Sequence, residues 1–266
     1  MPEPTVRWTG RQRAGFADVD QEGRIKFSSI VRYVMAGYEG LFPQLGTSSS
    51  RAEYFASHGL QPITTYAELE RAPRRAALDV DVELGYSATL GFELGKDGAP
   101  RYGGHDEIEL ACADGDPLAW WRQHWLWVSQ DRGTLLDRPA PAVTVAQSAE
   151  LPSPPRPPAV DPQDAVVGRF RWALRETDLN HHVNFAAYLE RVENALADAD
   201  LDSVPPDRAS VWFRRASFAG ESMTTAIVEQ DGSFVVRLSR QTGEDLCATV
   251  LLAQGSRRLP AARGLL

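Results

Sequence analysis

Residues 10–34 of this chain, GRQRAGFADVDQEGRIKFSSIVRYV, lie without a gap over residues 168–192, GRFRWALRETDLNHHVNFAAYLERV, at a constant offset of 158. The offset pairs Gly10 with Gly168, Arg11 with Arg169, Arg13 with Arg171, Asp18 with Glu176, Asp20 with Asp178, Ile25 with Val183, Phe27 with Phe185 and Val34 with Val192. The matches agree in chemistry and in the apolar register that follows, which is the mark of an internal duplication. A duplicated chain folds as two copies of one unit. At 266 residues each copy has about 130, enough for its own hydrophobic core.

The unit can be read element by element. In the second copy Phe185, Tyr188, Leu189, Val192 and Leu196 recur at helical spacing, and in the first Ile30, Val31, Val34, Met35, Tyr38, Leu41 and Phe42 form the equivalent stripe. A strand-like opening and an acidic loop precede each helix, and a meander of strands follows. In the second copy SVWFRRASF, MTTAIVEQ, SFVVRLSRQ and LCATVLLAQG are separated by turn signals such as Asp231-Gly232 and Thr242-Gly243-Glu244. In the first copy AALDVDVEL, HDEIELACA and AWWRQHWLWVSQ play that part, the last setting Trp121, Trp125 and Trp127 on one face and Trp120 on the other. Between Arg138 and Asp164 repeated prolines remove backbone donors and impose extended geometry. That stretch is a linker, either a free tether or an ordered strap. The expected organisation is an N-terminal domain over residues 1–137, a proline-rich linker over 138–164 and a C-terminal domain over 165–266.

Composition narrows the function classes. With 43% hydrophobic and 24% charged residues the chain reads as an ordinary globular protein. No apolar run approaches the roughly 20 residues a membrane span needs. The opening MPEPTVRWTGRQRAGF lacks the apolar core of a signal sequence, so a cytoplasmic location is expected. A net charge of −8 argues against nucleic acid as a partner, since phosphate binding needs a basic face. Cys112 and Cys247 sit in strand-like stretches without CxxC spacing and read as buried thiols. Apart from Lys26 and Lys96 the positive charge is all arginine, which suits fork-like recognition of carboxylate or phosphate.

The densest polar chemistry lies at the start of the second helix, where Asp178, Asn180, His181, His182 and Asn184 fall within seven positions. A helix N-terminus offers unpaired backbone amides and the positive end of the helix dipole. Amides around Asn184 and Phe185 can polarise a carbonyl there while Asp178 attacks it or activates water. Asn180 can position that water or hold Asp178, and His182 can orient the carboxylate or protonate a departing group near neutral pH. The same Asp and Asn residues also read as simple helix caps, a role worth about 0.5–2 kcal/mol. His181 and His182 do not read as a metal pair, because neighbouring side chains diverge and no further ligand motif accompanies them. In the first copy DVDQEGR around Asp20 reads equally as a turn, with Gly23 supplying a permissive backbone. Arg71, Arg74, Arg75, Arg214 and Arg215 are candidate anion-binding groups or else solvated surface charge. The chain carries no G-x-S-x-G elbow, glycine-rich nucleotide loop or H-E-x-x-H motif.

The order strand, acidic loop, long helix and antiparallel meander is similar to the hot-dog fold. TDLNHHVNFAAYLERV resembles the D-x-N-x-H-V-N signature of hot-dog thioesterases, above all the acyl-acyl-carrier-protein thioesterases. FADVDQEGRIKFSSIVRYV resembles the D-x-D-x-x-G loop of the 4-hydroxybenzoyl-CoA thioesterase branch. The resemblance implies an α+β double hot-dog, with two antiparallel sheets each wrapping a long central helix. It implies hydrolysis of an acyl thioester carried on acyl carrier protein or coenzyme A, with no bound cofactor and no metal. The family's catalytic aspartate falls on Asp178 in the second copy and Asp20 in the first, and further catalytic roles fall on Asn180 and His182. Asn184, Phe185, Arg214 and Arg215 are the candidate substrate-binding residues.

The chain also departs from the family. An acidic residue and a cysteine expected in the strand after the helix are absent, the run here being Phe213-Arg214-Arg215-Ala216-Ser217. The first copy has Glu22 and Arg24 where the second has Asn180 and His182. These departures leave room for a dehydratase, isomerase or cyclase acting on a carrier-bound acyl or polyketide chain, and for a non-catalytic acyl-thioester-binding protein. Pairing of the two copies within one chain removes the need for a homodimer without forbidding one.

Overall fold

The computed structural model of the protein describes residues 5–46, 50–73, 81–129, 133–160, 165–178, 181–201, 206–241 and 245–254. The first copy contributes β1 (Thr5–Arg13), α1 (Phe27–Gly37), α2 (Leu41–Gln44), α3 (Arg51–His58), β2 (Leu60–Arg71), β3 (Asp81–Leu94), β4 (Pro100–Cys112) and β5 (Pro117–Ser129). After the two-residue β6 (Ala149–Glu150), the second copy contributes β7 (Val166–Arg171), α4 (Phe185–Asp198), β8 (Arg208–Phe213), β9 (Ser222–Gln230), β10 (Ser233–Arg240) and β11 (Leu246–Ala253). The strands lie in the order β1-β3-β4-β5-β2-β8-β11-β10-β9-β7, with β6 added parallel to β3. Five strands from each copy thus appear in mirrored order about the central pair β2 and β8. The repeat seen in the sequence is a repeat of topology.

The sequence reading expected the two antiparallel sheets to pair within the chain into a continuous one, and the strands do form a single sheet. The join is an antiparallel ladder from Tyr66↔Trp212 to Glu70↔Arg208. Left unpaired, β2 and β8 would each present an open edge of backbone donors and acceptors, and each copy supplies what the other lacks. Side chains reinforce the join. Tyr66 packs on Trp212 at 5.2 Å between ring centroids. The buried Glu68 carboxylate takes Arg122 from β5 at 2.6 Å and Arg208 from β8 at 3.0 Å.

Helices α1 and α4 pack against each other, and one continuous core holds Ile30 and Val34 of α1, Leu189 and Val192 of α4, and strand residues such as Leu84, Trp121 and Val236. Cys112 and Cys247 are buried, as expected. Trp121, Trp125 and Trp127 are all buried. Over its described residues, 138–160, the proline-rich stretch is a strap tied to both copies. The Tyr54 hydroxyl donates to the Pro141 carbonyl at 2.8 Å, the Thr144 amide to Leu45 at 3.0 Å and the Leu151 amide to Phe92 at 2.8 Å, which fix it to the first copy. The Trp212 indole donates to the Pro155 carbonyl at 2.7 Å, which fixes it to the second. Among the described residues no helix is long and apolar enough to cross a membrane.

Burial raises the Glu68 carboxyl, but the hydrogen bonds and charges of Arg122 and Arg208 outweigh it and hold the group below its ordinary value. Glu68→Gln is therefore expected to cost about 3 kcal/mol in urea unfolding at neutral pH, the usual cost of breaking a buried ionic network. A lowered folded pKa gives stability that is present above the unfolded value and is lost as pH falls through the folded one. The gap between wild type and variant should therefore narrow below about pH 4. A constant gap would show that the network contributes by packing alone.

Candidate active site

The two acidic loops share the same backbone hydrogen bonds at their described residues. The Asp178 amide donates to the His182 carbonyl at 2.8 Å, and the Asp20 amide to the Arg24 carbonyl at 2.8 Å. In return the His182 and Arg24 amides donate to Oδ1 of Asp178 and Asp20, at 3.3 and 2.8 Å. Isolated bridges Thr177↔Val183 and Val19↔Ile25 close the two loops alike. Where Gly23 has φ 79°, His181 has φ 62°, a left-handed conformation that histidine adopts more readily than most side chains. The exposed His181 thus serves the turn.

Asn184 is the helix cap. Its Oδ1 accepts from the Ala187 amide at 2.9 Å, and its Nδ2 donates to the Glu176 carbonyl at 2.8 Å. Its own amide is taken by the same carbonyl at 2.8 Å. The Phe185 amide, one residue on, meets no acceptor among the described residues. Of the two amides proposed from sequence to polarise a carbonyl, only that of Phe185 is unspent.

The matching end of α1 is filled from within the chain. Glu193 of α4 reaches across and accepts from the Phe27 amide at 3.3 Å. Arg71, 3% exposed, stacks over the Phe27 ring at 4.7 Å. It donates to Asp20 Oδ2 at 2.9 Å and to the carbonyls of Ile25 and Pro206 at 3.0 and 2.9 Å. Arg24 lies 3.4 Å from Asp20 and 3.4 Å from Asp207. The Asp20 carboxylate is held between two guanidinium groups. Arg71, taken from sequence as an anion-binding or solvated arginine, is a buried partner of the first acidic loop; Arg74 and Arg75 lie outside the described residues.

The end of α4 opens instead onto a cavity of about 1360 Å³. Here Phe213 stands over Phe185 at 4.7 Å, where the other copy has Arg71 over Phe27. Trp121 of the first copy packs on the other side of Phe185 at 5.1 Å. Asp178, His182, Asn184 and Phe185 all line the cavity, and so does Met35, the offset counterpart of Glu193. The His182 ring lies edge-on to Phe218 at 5.1 Å. Asn180 lies outside the described residues. Arg214 and Arg215 line the same cavity and are exposed. Arg215 pairs with Asp245 at 2.8 Å, whereas the Arg214 guanidinium has no partner among the described residues. Within the run 213–217, Ala216 faces the cavity and Ser217 is buried.

Two features escaped the sequence reading. Glu193 is one, and its signal was the offset pairing of a carboxylate with a methionine. The other is a polar stretch of cavity wall, formed by Thr65 and Glu93, which no local pattern marks.

Burial pushes the Glu193 carboxyl up to about 7, against the pull of Arg71 and the hydrogen bond from Phe27. A carboxyl raised above its unfolded value of about 4.3 contributes stability that is fully present below that value and lost as pH rises through the folded one. Wild type is expected to lose stability relative to Glu193→Gln between about pH 4.5 and 7.5 in urea unfolding. A pH-independent difference would refute the burial argument.

No protein-family model and no curated protein sequence matches the chain. Solved structures do. A protein from Lactobacillus plantarum described as an oleoyl thioesterase is 19% identical, with 95% of this chain and 98% of that one covered and a TM-score of 0.75. An acyl-ACP thioesterase from Bacteroides thetaiotaomicron is 13% identical, with 93% and 97% covered and a TM-score of 0.73. A MaoC-like dehydratase from Phytophthora capsici is 10% identical, with 95% and 96% covered and a TM-score of 0.54. Likeness at such identities speaks for architecture, and with the mirrored strands and paired helices it gives the conclusion that this chain has a hot-dog-like fold, built twice in one polypeptide.

Proposed function

We propose that the protein is an acyl thioester hydrolase that works at the N-terminus of α4. The observation that carries this reading is the contrast between the two helix ends. At α1 the first amide is answered by the Glu193 carboxylate; at α4 the equivalent Phe185 amide is unanswered among the described residues, and its residue lines a cavity. A carboxylate oxygen thus sits in one copy where a polarised carbonyl oxygen would sit in the other. The folds described as thioesterases support the same reading.

In this reading the thioester carbonyl lies against the Phe185 amide and the positive end of the α4 dipole, which favour the negative charge that develops on its oxygen. Asp178 takes a proton from water as the water attacks the carbonyl carbon. Collapse of the tetrahedral adduct breaks the carbon–sulfur bond, and His182 supplies a proton to the departing thiolate. One water is consumed, and a free acid and a free thiol leave. Asn180, two residues from Asp178, is assigned the positioning of that water. Arg214 is assigned to the phosphate of a pantetheine arm or the acidic face of a carrier protein. Asp20, neutralised by Arg71 and Arg24, is assigned a structural role. Residues 1–137 and 165–266 are taken as the two domains, with 138–164 as the strap between them.

Free-thiol release from a panel of acyl-CoA and acyl-carrier-protein thioesters tests the reading. Asp178→Asn should lower kcat by about 100-fold or more, with the fold intact by circular dichroism. Asp20→Asn should keep thiol release and lower the melting temperature. A protein that binds the panel and releases no thiol is not a hydrolase, and an altered acyl chain still on its carrier would then point to a dehydratase or isomerase.

A further inference from the structure

The cavity that receives the end of α4 carries a small polar stretch on its first-copy side, set among apolar residues such as Val31, Met35, Phe55 and Ile63. Thr65 and Glu93 line it, and His124, 2% exposed, stands behind them. Thr65 is the residue the β2–β5 ladder skips, since Thr64 pairs with Trp125 and Tyr66 with His124. Such a bulge re-aims a side chain out of the normal alternation. The Thr65 hydroxyl lies 2.9 Å from His124 Nδ1 and 3.2 Å from the His124 carbonyl oxygen. The other ring nitrogen, Nε2, is buried with no hydrogen-bond partner among the described residues. It lies 3.5 Å from Glu93 Oε2, and the Glu93 carboxyl accepts no hydrogen bond from the described residues.

Burial pushes the His124 imidazole down to about 4, with the charge of His105 adding to the effect. Burial also raises the Glu93 carboxyl, against the pull of Arg101. Both shifts favour the uncharged forms. Glu93 thus brings unfilled hydrogen-bonding capacity to the cavity, and the buried His124 imidazole, which does not itself line it, lies directly behind. Buried polar groups without partners are costly and uncommon.

We propose that Thr65, Glu93 and His124 form a subsite for an uncharged hydrogen-bonding group of the bound thioester, a hydroxyl or an amide. The proposal rests on the thioester reading of the α4 end of the same cavity. A hydroxyl or amide both gives and accepts a hydrogen bond, so one such group can pair with the Glu93 side chain and the Thr65 hydroxyl together, the two members of the set that line the cavity. A plain methylene chain in the same place leaves the Glu93 side chain unpaired, which is how a polar site rejects an apolar analogue. The group has two sources, a hydroxyl-bearing acyl chain or the amides of a pantetheine arm.

Calorimetric binding of hydrolysis-inert thioether analogues tests the subsite without relying on turnover. One arm compares a hydroxylated chain with a plain chain of equal length, both on full pantetheine. The other compares the plain chain on pantetheine with the same chain on a simple alkyl thiol. Wild type should favour the group-bearing analogue by about tenfold in one arm. Thr65→Val and Glu93→Leu should bring that ratio towards unity, Thr65→Ser should preserve it, and Glu93→Gln serves if the leucine variant does not fold. Loss of the first ratio assigns the acyl chain, and loss of the second assigns the pantetheine arm. Ratios near unity in wild type, or ratios that folded variants leave unchanged, overturn the subsite. Should the ratios hold while genuine thioesters release no thiol, hydrolysis fails and the subsite stands.

Discussion

The ladder between β2 and β8 is the interaction on which the rest of the molecule depends. It turns two five-stranded units into one sheet, and it sets α1 against α4 by bringing the strands that carry them side by side. Its strength is non-local. Glu68 draws one arginine from a neighbouring strand of its own copy and another from the other copy. A carboxylate so placed is tolerable only while both partners are present, so the join and the two sheets it unites are mutually dependent.

Duplication supplies two helix N-termini with the same loop and the same unpaired first amide, and packing the helices together makes the two ends unequal. A residue on α4 reaches the start of α1, and its counterpart on α1 lines the cavity onto which the start of α4 opens. At one crossing that residue is Glu193, a carboxylate that fills the anion position; at the other it is Met35, which cannot. Arg71 and Phe213 repeat the contrast over the rings of Phe27 and Phe185. A single exchange of character at each of two positions turns one anion site into a structural ion network and leaves the other lined by aromatic rings. Burying charge at the first end is expensive, and the surrounding arginines offset much of that cost.

How much of this was legible in the sequence follows from the range of the forces involved. The loops and both long helices could be read because capping, left-handed turn positions and apolar stripes are local. The start of α4 was placed correctly for that reason, with Asn184 as its cap. Strand β2 was missed. Its run YAELERA is rich in residues that favour helix, and it is held extended by ladders to β5 on one side and β8 on the other. Strand β3 ran on to Leu94, well past the expected end. No local signal tells which strands of the two copies pair, so the β2–β8 join itself could not be read. The same limit hid Glu193, whose effect exists only once α4 lies across α1, and the Thr65–His124–Glu93 wall, whose members come from three strands.

The end of the central ladder is also where the cavity begins. Pairing between β2 and β8 stops at Tyr66↔Trp212, the Thr65 bulge falls next to that pair, and beyond it Thr64 and Thr65 on one side and Phe213 and Arg214 on the other line the cavity. Had the ladder continued, backbone pairing would have closed this gap. Helix α1 supplies one wall and α4 another, and the proline strap adds Pro154 and Pro155. The space therefore belongs to neither copy. A site built in this way is shaped by how the copies meet, so a change in the register of β2 against β8 would move the polar wall relative to the α4 terminus without altering a single residue that lines either.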